Sequence, residues 1–417
     1  MSEAFPELID VFEPQEREGE CCYYRAAPGL VVTNSNVVLA TNQERMGTIG
    51  DSFNRKNVAL RRSLDEGQTW LPLQIPAGSP EISCSAGAML LDHEINRVIL
   101  FFSRSPIEGA STGHNEAWTV ENTPTGRTPG TGQFMSYSDD DGATWSDPTE
   151  ITDDIVYEAR YSTTWARTVN VGHVRRAVAP GGPPGNGVQL KHGPHKGRLL
   201  ATARVWVKPL WDLNAYSHNC VILSDDHGLT WRLGGLSQPG MGESSIVELA
   251  GGVVYMTSRN ESIRSRGYRG WDRSYDGGET FIESGYDLAL VEPHCHAALA
   301  RYSWGQADGV GESGGRSRVL FSNPAVKSDT VGWFDAAGRR NLAVRLSYDE
   351  ARSWPVAKTI YAGSAGYSAL AVTRNGTILC QFERSTEEGK HSASQGLCSV
   401  ARFNLAWLTE GQDTGLD

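Results

Sequence analysis

The sequence has no apolar run approaching the ~18 consecutive residues that a membrane-spanning helix needs. Residues 1–15 are acidic and lack the apolar core of a secretory signal. Basic charge is scarce, since 38 Lys and Arg face 49 Asp and Glu, a formal net charge of −11. A nucleic-acid binder would need a basic face. We therefore expect neither a nucleic acid nor a membrane among the partners.

Cysteine is also sparse and follows no recognisable pattern. The seven cysteines, which include one adjacent pair, form neither a zinc spacing nor an even disulfide set. This usage favours a reducing, cytoplasmic location unless a leader has been removed. Two histidine pairs lack further ligands at metal spacing, so structural roles are expected for both: His192 with His195, and His294 with His296.

One pattern, S-x-D-x-G-x-T-W, recurs along the chain. Intact copies begin at Ser63, Ser138 and Ser224, the copy at Ser274 ends in Phe, and the copy at Ser347 lacks the glycine. Asp and Ser side chains can bond the amides of a turn, glycine supplies a positive φ, and the aromatic ring can plug the space beneath. The pattern predicts a repeated hairpin turn, and its uneven spacing suits four-stranded blades with loops of different length.

The 417 residues would suffice for two average domains, but the repeats continue without a linker. Glycine, proline and tryptophan are plentiful, at 46, 19 and 12 residues, which suits a fold with many turns and a sizeable core. We predict a single all-β domain over residues 21–410. An irregular segment, 1–20, is expected before it and a short tail, 411–417, after it.

The repeats resemble the Asp-boxes of the sialidase (neuraminidase) superfamily, of the bacterial and animal exo-sialidase type. The resemblance extends from about Tyr24 to Leu408, nearly the whole chain. It implies the fold of that superfamily, a six-bladed β-propeller. Asp-boxes also occur in other propellers, so the implied activity depends on further matches.

Three arginines match the superfamily's carboxylate clamp. Arg25 stands in Y-R-A-A-P, which resembles (F/Y)-R-I-P with one residue altered and one inserted. Arg259 matches the second arginine. Arg339 matches the third through its spacing from the fifth repeat, with Arg340 as the alternative. Sialic acid carries a carboxylate on its anomeric carbon, and converging guanidinium groups can bind it through charge-assisted bonds.

The resemblance also implies the catalytic residues. Tyr367, in G-Y-S-A-L, matches the nucleophile, Glu243 its partner glutamate and Asp51 the acid/base. A neutral tyrosine hydroxyl avoids the repulsion that a carboxylate nucleophile would meet at an anionic sugar, and sialidases depart in this way from the two-carboxylate rule. Asp51 would protonate the leaving oxygen and later activate water. Glu383 matches a glutamate that braces the first arginine, and Arg45 a further pocket arginine. No metal or organic cofactor is needed.

The resulting hypothesis is a retaining exo-α-sialidase acting on sialylated glycans. A related glycosidase for another nonulosonic or 2-keto-3-deoxy acidic sugar is an alternative, because Y-R-A-A-P is altered and the pocket for the N-acetyl group is indicated only by Trp118 and Phe134. A glycan-binding propeller without activity is the other alternative. Such a binder would be expected to lack Asp51, Tyr367 or Glu243, and the sequence has all three.

Overall fold

The computed structural model describes residues 6–26, 28–50, 55–107, 132–165, 168–177, 179–180, 185–207, 216–262, 266–305, 315–327, 338–387, 390 and 394–415. Within these ranges the chain forms 28 β-strands, one 3-10 turn (Ala250–Gly252) and one short helix, α1 (Leu405–Leu408). The expected all-β class is confirmed.

Four sheets are separate, antiparallel and blade-sized, each with four to six strands, and they follow an N-terminal strand, β1 (Glu7–Phe12). The first sheet contains β2 (Gln15–Arg17), β3 (Glu20–Tyr24), β4 (Gly29–Val32), β5 (Val38–Met46), β6 (Lys56–Ser63) and β7 (Gln74–Ala77). The second contains β8 (Ile82–Asp92), β9 (Arg97–Pro106), β10 (Gly132–Ser138) and β11 (Thr149–Glu150). A separate hairpin of β12 (Val156–Trp165) and β13 (Thr168–Ala177) follows.

The third sheet contains β14 (Ala179–Pro180), β15 (Gly187–Gln189), β16 (Leu199–Val207), β17 (Tyr216–Ser224) and β18 (Arg232–Leu236). The fourth contains β19 (Met241–Leu249), β20 (Val253–Asn260), β21 (Tyr268–Ser274) and β22 (Glu283–Val291). The remaining strands are β23 (Ala298–Ser303), β24 (Arg318–Pro324), β25 (Arg340–Ser347), β26 (Val356–Val372), β27 (Ile378–Arg384) and β28 (Leu397–Phe403).

The last six strands join β1 in one seven-stranded sheet, and this departs from the expected six separate blades. Strand β26 is 17 residues long. Its first part, up to Ser364, pairs with β25, and its second part, from Ala365, pairs with β27. Because one strand is continuous through both pairings, two stretches of sheet are hydrogen-bonded into one. The described strands thus make four separate blade-sized sheets beside the long one.

The two ends of the chain meet in this long sheet. Strand β1 pairs antiparallel with β28, so that Leu8 lies opposite Ala401 and Asp10 opposite Ser399. Residues 1–20 were expected to be irregular, but they contain β1 and β2. The reason is that Val11 and Phe12 are buried in the core, although the residues around them are charged. The last strand, β28, ends at Phe403, and α1 follows it.

The sheets are arranged around a closed ring. One strand of each sheet contacts one strand of the next: β4 contacts β8, β8 contacts β15, β15 contacts β19, and β19 contacts β23. Strand β23 then contacts β26, which returns to β4. A ring of radially packed antiparallel sheets is the arrangement of a β-propeller.

The five repeats form the same turn. In the second copy Ser138 Oγ donates to Asp140 Oδ1 at 2.8 Å and accepts the Gly142 amide at 2.8 Å. Asp140 also accepts the amide of Thr144 at 2.9 Å and its hydroxyl at 2.6 Å. Equivalent bonds recur in the other four copies. In the fifth copy Ala351 adopts the glycine's positive φ, at 58°.

The aromatic ring that ends the third repeat should contribute strongly to stability. Trp231 is 4% exposed, packs edge to face on Phe101 at 4.9 Å, and donates from Nε1 to the Gly228 carbonyl at 3.1 Å. We expect Trp231→Ala to lower the free energy of unfolding by about 3–5 kcal/mol, because a large cavity would form. Urea denaturation of purified variants measures this. Leu229→Ala in the same turn is the matched control, since Leu229 is 73% exposed and should change stability by less than about 0.5 kcal/mol. Equal midpoints for the two variants would contradict the structural role.

Candidate active site

The site residues lie at the opposite end of the sheets from the repeat turns. The repeats begin at the last residues of β6, β10, β17, β21 and β25. Glu243 lies near the start of β19, Arg259 near the end of its partner β20, and Arg339 immediately before β25. Because neighbouring strands are antiparallel, these positions share one end of the sheets.

The Glu243 carboxylate binds two of the predicted residues. Tyr367 Oη donates to Glu243 Oε1 at 2.6 Å. Arg259 Nη1 lies 3.1 and 2.9 Å from the two carboxylate oxygens and 3.3 Å from Tyr367 Oη. A register shift in the pairing of β19 with β20 accompanies this contact. All three side chains are buried, so their interactions are little weakened by water.

Burial and neighbouring charges shift the pKa values of this pair in opposite directions. Burial alone would raise the pKa of Glu243, but the charges of Arg259 and Arg204 and the hydrogen bond from Tyr367 outweigh it and hold that pKa below its usual value. Burial raises the pKa of Tyr367, and the negative charge of Glu243 raises it further, against the opposing effect of Arg259 and Arg339. At neutral pH a neutral phenol therefore donates to an ionised carboxylate, which is the arrangement of a nucleophile with its base.

The segment before β23 packs against the tyrosine. The His296 ring lies edge to face with the Tyr367 ring at 5.9 Å between centroids. Its Nδ1 donates to the Ser368 carbonyl at 3.0 Å, which places the ring proton on that nitrogen. Burial lowers the pKa of His296 to about 4, so the ring is neutral at pH 7. Cys295 and Ala26 complete a small buried cluster with Tyr367.

Arg339, rather than Arg340, adjoins the tyrosine. The guanidinium carbon of Arg339 lies 5.1 Å from the centroid of the Tyr367 ring, and its Nη2 donates to the His294 carbonyl at 2.8 Å. Arg339 is 8% exposed, whereas Arg340 is exposed at the start of β25. Of the two adjacent arginines, only Arg339 therefore reaches Tyr367.

Arg25 and Arg45 converge on the same backbone carbonyl. Arg25 Nη1 and Arg45 Nη1 each donate to the Ile49 carbonyl at 3.1 Å. Arg45 also donates to the Gly50 carbonyl at 2.7 Å. The pairing of Tyr23 with Arg45 between β3 and β5 brings the two arginines together. Both therefore lie beside the segment that precedes Asp51.

Glu383 acts on the backbone next to Arg25. Its Oε1 accepts the amide N–H of Ala26, and Glu383 itself is buried on β27. Ala26 has a left-handed φ of 50°, a conformation in which a β-branched residue would be strained. This conformation suits the first alanine of the Y-R-A-A-P motif. The bond from Glu383 holds the backbone next to Arg25.

Three of the residues that the sequence suggested are not seen in this site. Asp51 and Trp118 lie outside the described residues. Phe134 instead packs in the core of the second sheet, with its ring stacked on Phe102 at 6.2 Å. Sequence reasoning missed Arg204 and Glu261, which pair with each other next to Arg259; the nearest signal was the position of Glu261 two residues after Arg259.

The arrangement offers positive charge to an anion beside the Tyr367 hydroxyl. Arg259 and Arg339 both flank Tyr367, and Ala26, the residue after Arg25, packs against the same tyrosine. Over the described ranges no group of three or more His, Cys, Asp and Glu side chains is placed to hold a metal ion. No helix in that part of the chain has the length and apolar character needed to cross a membrane.

Comparisons with known proteins find a family match and similarity to sialidases. A family described as "BNR repeat-like domain" matches residues 117–380. A sialidase of Micromonospora viridifaciens is 30% identical over 393 residues, covering 91% of this chain and 51% of the relative. A sialidase of Bacteroides fragilis is 24% identical over 370 residues, covering 86% of this chain and 59% of the relative. The chain thus spans only half to three fifths of the length of these relatives. The solved structure of Hadza microbial sialidase Hz136 superposes with a TM-score of 0.68 at 22% identity, over 93% of this chain and 66% of that one.

The buried pair of Glu243 and Arg259 should make stability depend on pH. The folded-state pKa of Glu243 lies below the unfolded value of about 4.3, so its stabilising contribution is present above that pH and is lost as pH falls through the folded pKa. We expect Glu243→Gln to lose about 3 kcal/mol at pH 7, because Arg259 would keep its buried charge without this partner. The gap from wild type should shrink below about pH 4. Urea denaturation at pH 7, 5 and 3.5 measures the gap, and a gap that does not vary with pH would contradict the assignment.

Proposed function

The chain belongs to the sialidase superfamily, with its BNR repeat-like domain, and from this premise we propose that it is a retaining exo-α-sialidase that releases terminal sialic acids from glycoconjugates. The observation that carries the proposal is the Tyr367 hydroxyl at 2.6 Å from Glu243, with Arg259 bonded to both residues. A glycan-binding propeller would have no use for a phenol paired with a buried, ionised carboxylate.

In the proposed mechanism the sugar carboxylate binds Arg25, Arg259 and Arg339. Tyr367 Oη attacks the anomeric carbon while its proton passes to Glu243, and a covalent glycosyl–tyrosine forms as the bond to the leaving oxygen breaks. The guanidinium groups suit this role because Arg259 and Arg339 are buried beside Tyr367, where charge-assisted bonds are strong.

Asp51 is proposed as the acid/base from the sequence match alone. It would protonate the leaving oxygen and then deprotonate the water that releases the sugar, so that two displacements retain the anomeric configuration. The carbonyls of Ile49 and Gly50, just before Asp51, are held by Arg45. This contact would fix the chain on which Asp51 stands. In the same way, Glu383 would position Arg25 through the amide of Ala26.

We also propose that the propeller has six blades. Counting the two halves of β26 separately divides the seven-stranded sheet into two four-stranded units. Together with the four separate sheets, these give six. The closed series of contacts among β4, β8, β15, β19, β23 and β26 supports this count, because it contains one inner strand for each blade.

The direct test is hydrolysis of a fluorogenic α-sialoside by the purified chain, with the deaminated sugar analogue assayed in parallel. We expect Tyr367→Phe to lose turnover by at least about a thousandfold, because the nucleophile is gone, while affinity for free sialic acid stays within a few-fold of wild type. A fluorinated sialic-acid inactivator should label Tyr367, as mass spectrometry would show.

Two arginine variants provide the control for binding. Arg339→Ala should weaken affinity for sialic acid, since it removes part of the clamp, whereas Arg340→Ala removes an exposed arginine one position away and should leave affinity unchanged. Labelling at a residue other than Tyr367, or full activity in Tyr367→Phe, would refute the mechanism. Faster turnover of the deaminated analogue would favour a glycosidase for a different acidic sugar.

The role of Asp51 predicts a dependence on the leaving group. Asp51→Ala should slow hydrolysis of a sialyl-lactose by about 100-fold or more, because an alkoxide needs a proton to depart. An aryl sialoside should be affected much less, since a phenolate leaves without one. The ratio of kcat/KM for the two substrates, measured in both proteins, tests this. A similar loss on both substrates would show that Asp51 is not the acid.

A further inference from the structure

An ion pair lies behind Arg259. Arg204, on β16, donates from Nη2 to both carboxylate oxygens of Glu261, at 2.9 and 2.7 Å, and from Nε to Ser217 Oγ at 2.7 Å. Glu261, just after β20, has Oε1 at 3.8 Å from Arg259 Nε. The side chains of Arg204 and Glu261 are only 14% and 10% exposed. Largely buried charges need a partner of opposite charge, and here the two side chains pair with each other.

The pair extends the interactions of the site into a row of alternating charge. Arg204 is followed by Glu261, then Arg259, then Glu243, which accepts a hydrogen bond from Tyr367. Resting on the proposed function, we propose that Arg204 and Glu261 are positioning residues that hold the guanidinium of Arg259 in place for the substrate carboxylate and set the charge balance around the base Glu243. Neither residue need touch the substrate.

Each member of the pair acts on Arg259 in a definite way. Glu243 and Glu261 attract Arg259 from its Nη1 and its Nε sides, so the guanidinium is held between two carboxylates. Arg204 donates hydrogen bonds to both carboxylate oxygens of Glu261. Without Arg204, Glu261 would compete with Glu243 for Arg259. Without Glu261, two arginine charges would repel each other across the vacated position.

The charge balance at Glu243 follows from the same row. The charge of Arg204 reaches Glu243 and, after that of Arg259, favours its ionised form. A negative charge on Glu261 has the opposite effect, because like charges disfavour ionisation. Other titratable or charged groups near Glu243 come from β20, β26 and the segment before β23: Arg259, Tyr367, His294, Cys295 and His296. None of these five residues is itself substituted in the variants of the pair.

A double-mutant cycle tests the proposal, with carbon-13 NMR of glutamate-labelled protein reporting the titration of Glu243. The resonance is assigned by comparison with Glu243→Gln. Arg204→Met should raise the pKa of Glu243 by about half a unit, and Glu261→Gln should lower it by a similar amount. The double variant should return close to wild type, because the two charges leave together. The double variant also guards against a single variant that fails to fold.

Kinetics give the second readout. The acid limb of kcat/KM should move to higher pH in Arg204→Met and to lower pH in Glu261→Gln, and kcat/KM at the optimum should fall ten- to a hundredfold as Arg259 loses its position. The matched control is the Arg301–Glu350 pair, which has a 2.6 Å contact, 11% and 17% exposure, and lies at the fifth repeat. Arg301→Met and Glu350→Gln should lower the melting temperature without moving the titration of Glu243.

The titration separates the two proposals, since it requires no turnover. Opposite pKa shifts that cancel in the double variant would support the positioning role even if the chain hydrolysed no sialoside, and the proposed function alone would then fail. Shifts of the same sign, no shifts, or shifts equal to those of the control pair would overturn the positioning role, whatever the activity.

Discussion

Two largely buried carboxylates hold three parts of the fold together: Glu243 accepts bonds from Arg259 and Tyr367, and Glu261, beside Arg259, accepts bonds from Arg204. Glu243 and Arg259 belong to the fourth sheet, Tyr367 to β26 of the long sheet, and Arg204 to the third sheet. A buried carboxylate is stable only when paired and hydrogen-bonded. Its demand for partners therefore fixes how these sheets approach one another at this end of the ring. The same contacts leave a neutral phenol beside an ionised base, so the packing constraint and the proposed chemistry coincide.

Polar groups find their hydrogen-bond partners differently at the two ends of each sheet. At one end the repeat turns satisfy themselves, since Ser, Asp, Gly and Thr of a copy bond one another within the copy. At the other end polar groups depend on partners distant in the chain. Arg259 and Arg339 bring like charges close to Tyr367, an arrangement that opposes folding until acidic partners or an anion offset it. Stable turns at one end allow this electrostatic repulsion at the other end, as expected for functional sites.

What the sequence could predict follows the range of the interactions. The repeat turns were predictable, because every bond of the motif falls within one copy. The site residues followed from matches to a known superfamily, and the structure brings Tyr367, Glu243, Arg259 and Arg339 together. The strand β1 was not predicted, because the strand with which it pairs lies at the far end of the chain, with Asp10 opposite Ser399. The continuity of β26 was not predicted for a similar reason. Its pairing with β25 and then with β27 determines its length, and this pairing cannot be read from the segment itself. Arg204 and Glu261 are separated by 57 residues and carry no motif.

The raised pKa of Tyr367 fits the proposed reaction. In the free site the arginines lower the cost of a phenolate, while burial and Glu243 raise it, and the balance keeps the proton on oxygen. A bound sugar carboxylate would cancel part of the arginine charge and make a free phenolate still less favourable. In the proposed reaction the proton would therefore leave as the bond to the anomeric carbon forms, when negative charge on the phenol oxygen is being consumed. Glu243, at 2.6 Å and ionised at neutral pH, is placed to accept it at that moment and not before. In the proposed reaction, the charge balance that binds the sugar carboxylate would thus also set the timing of proton transfer.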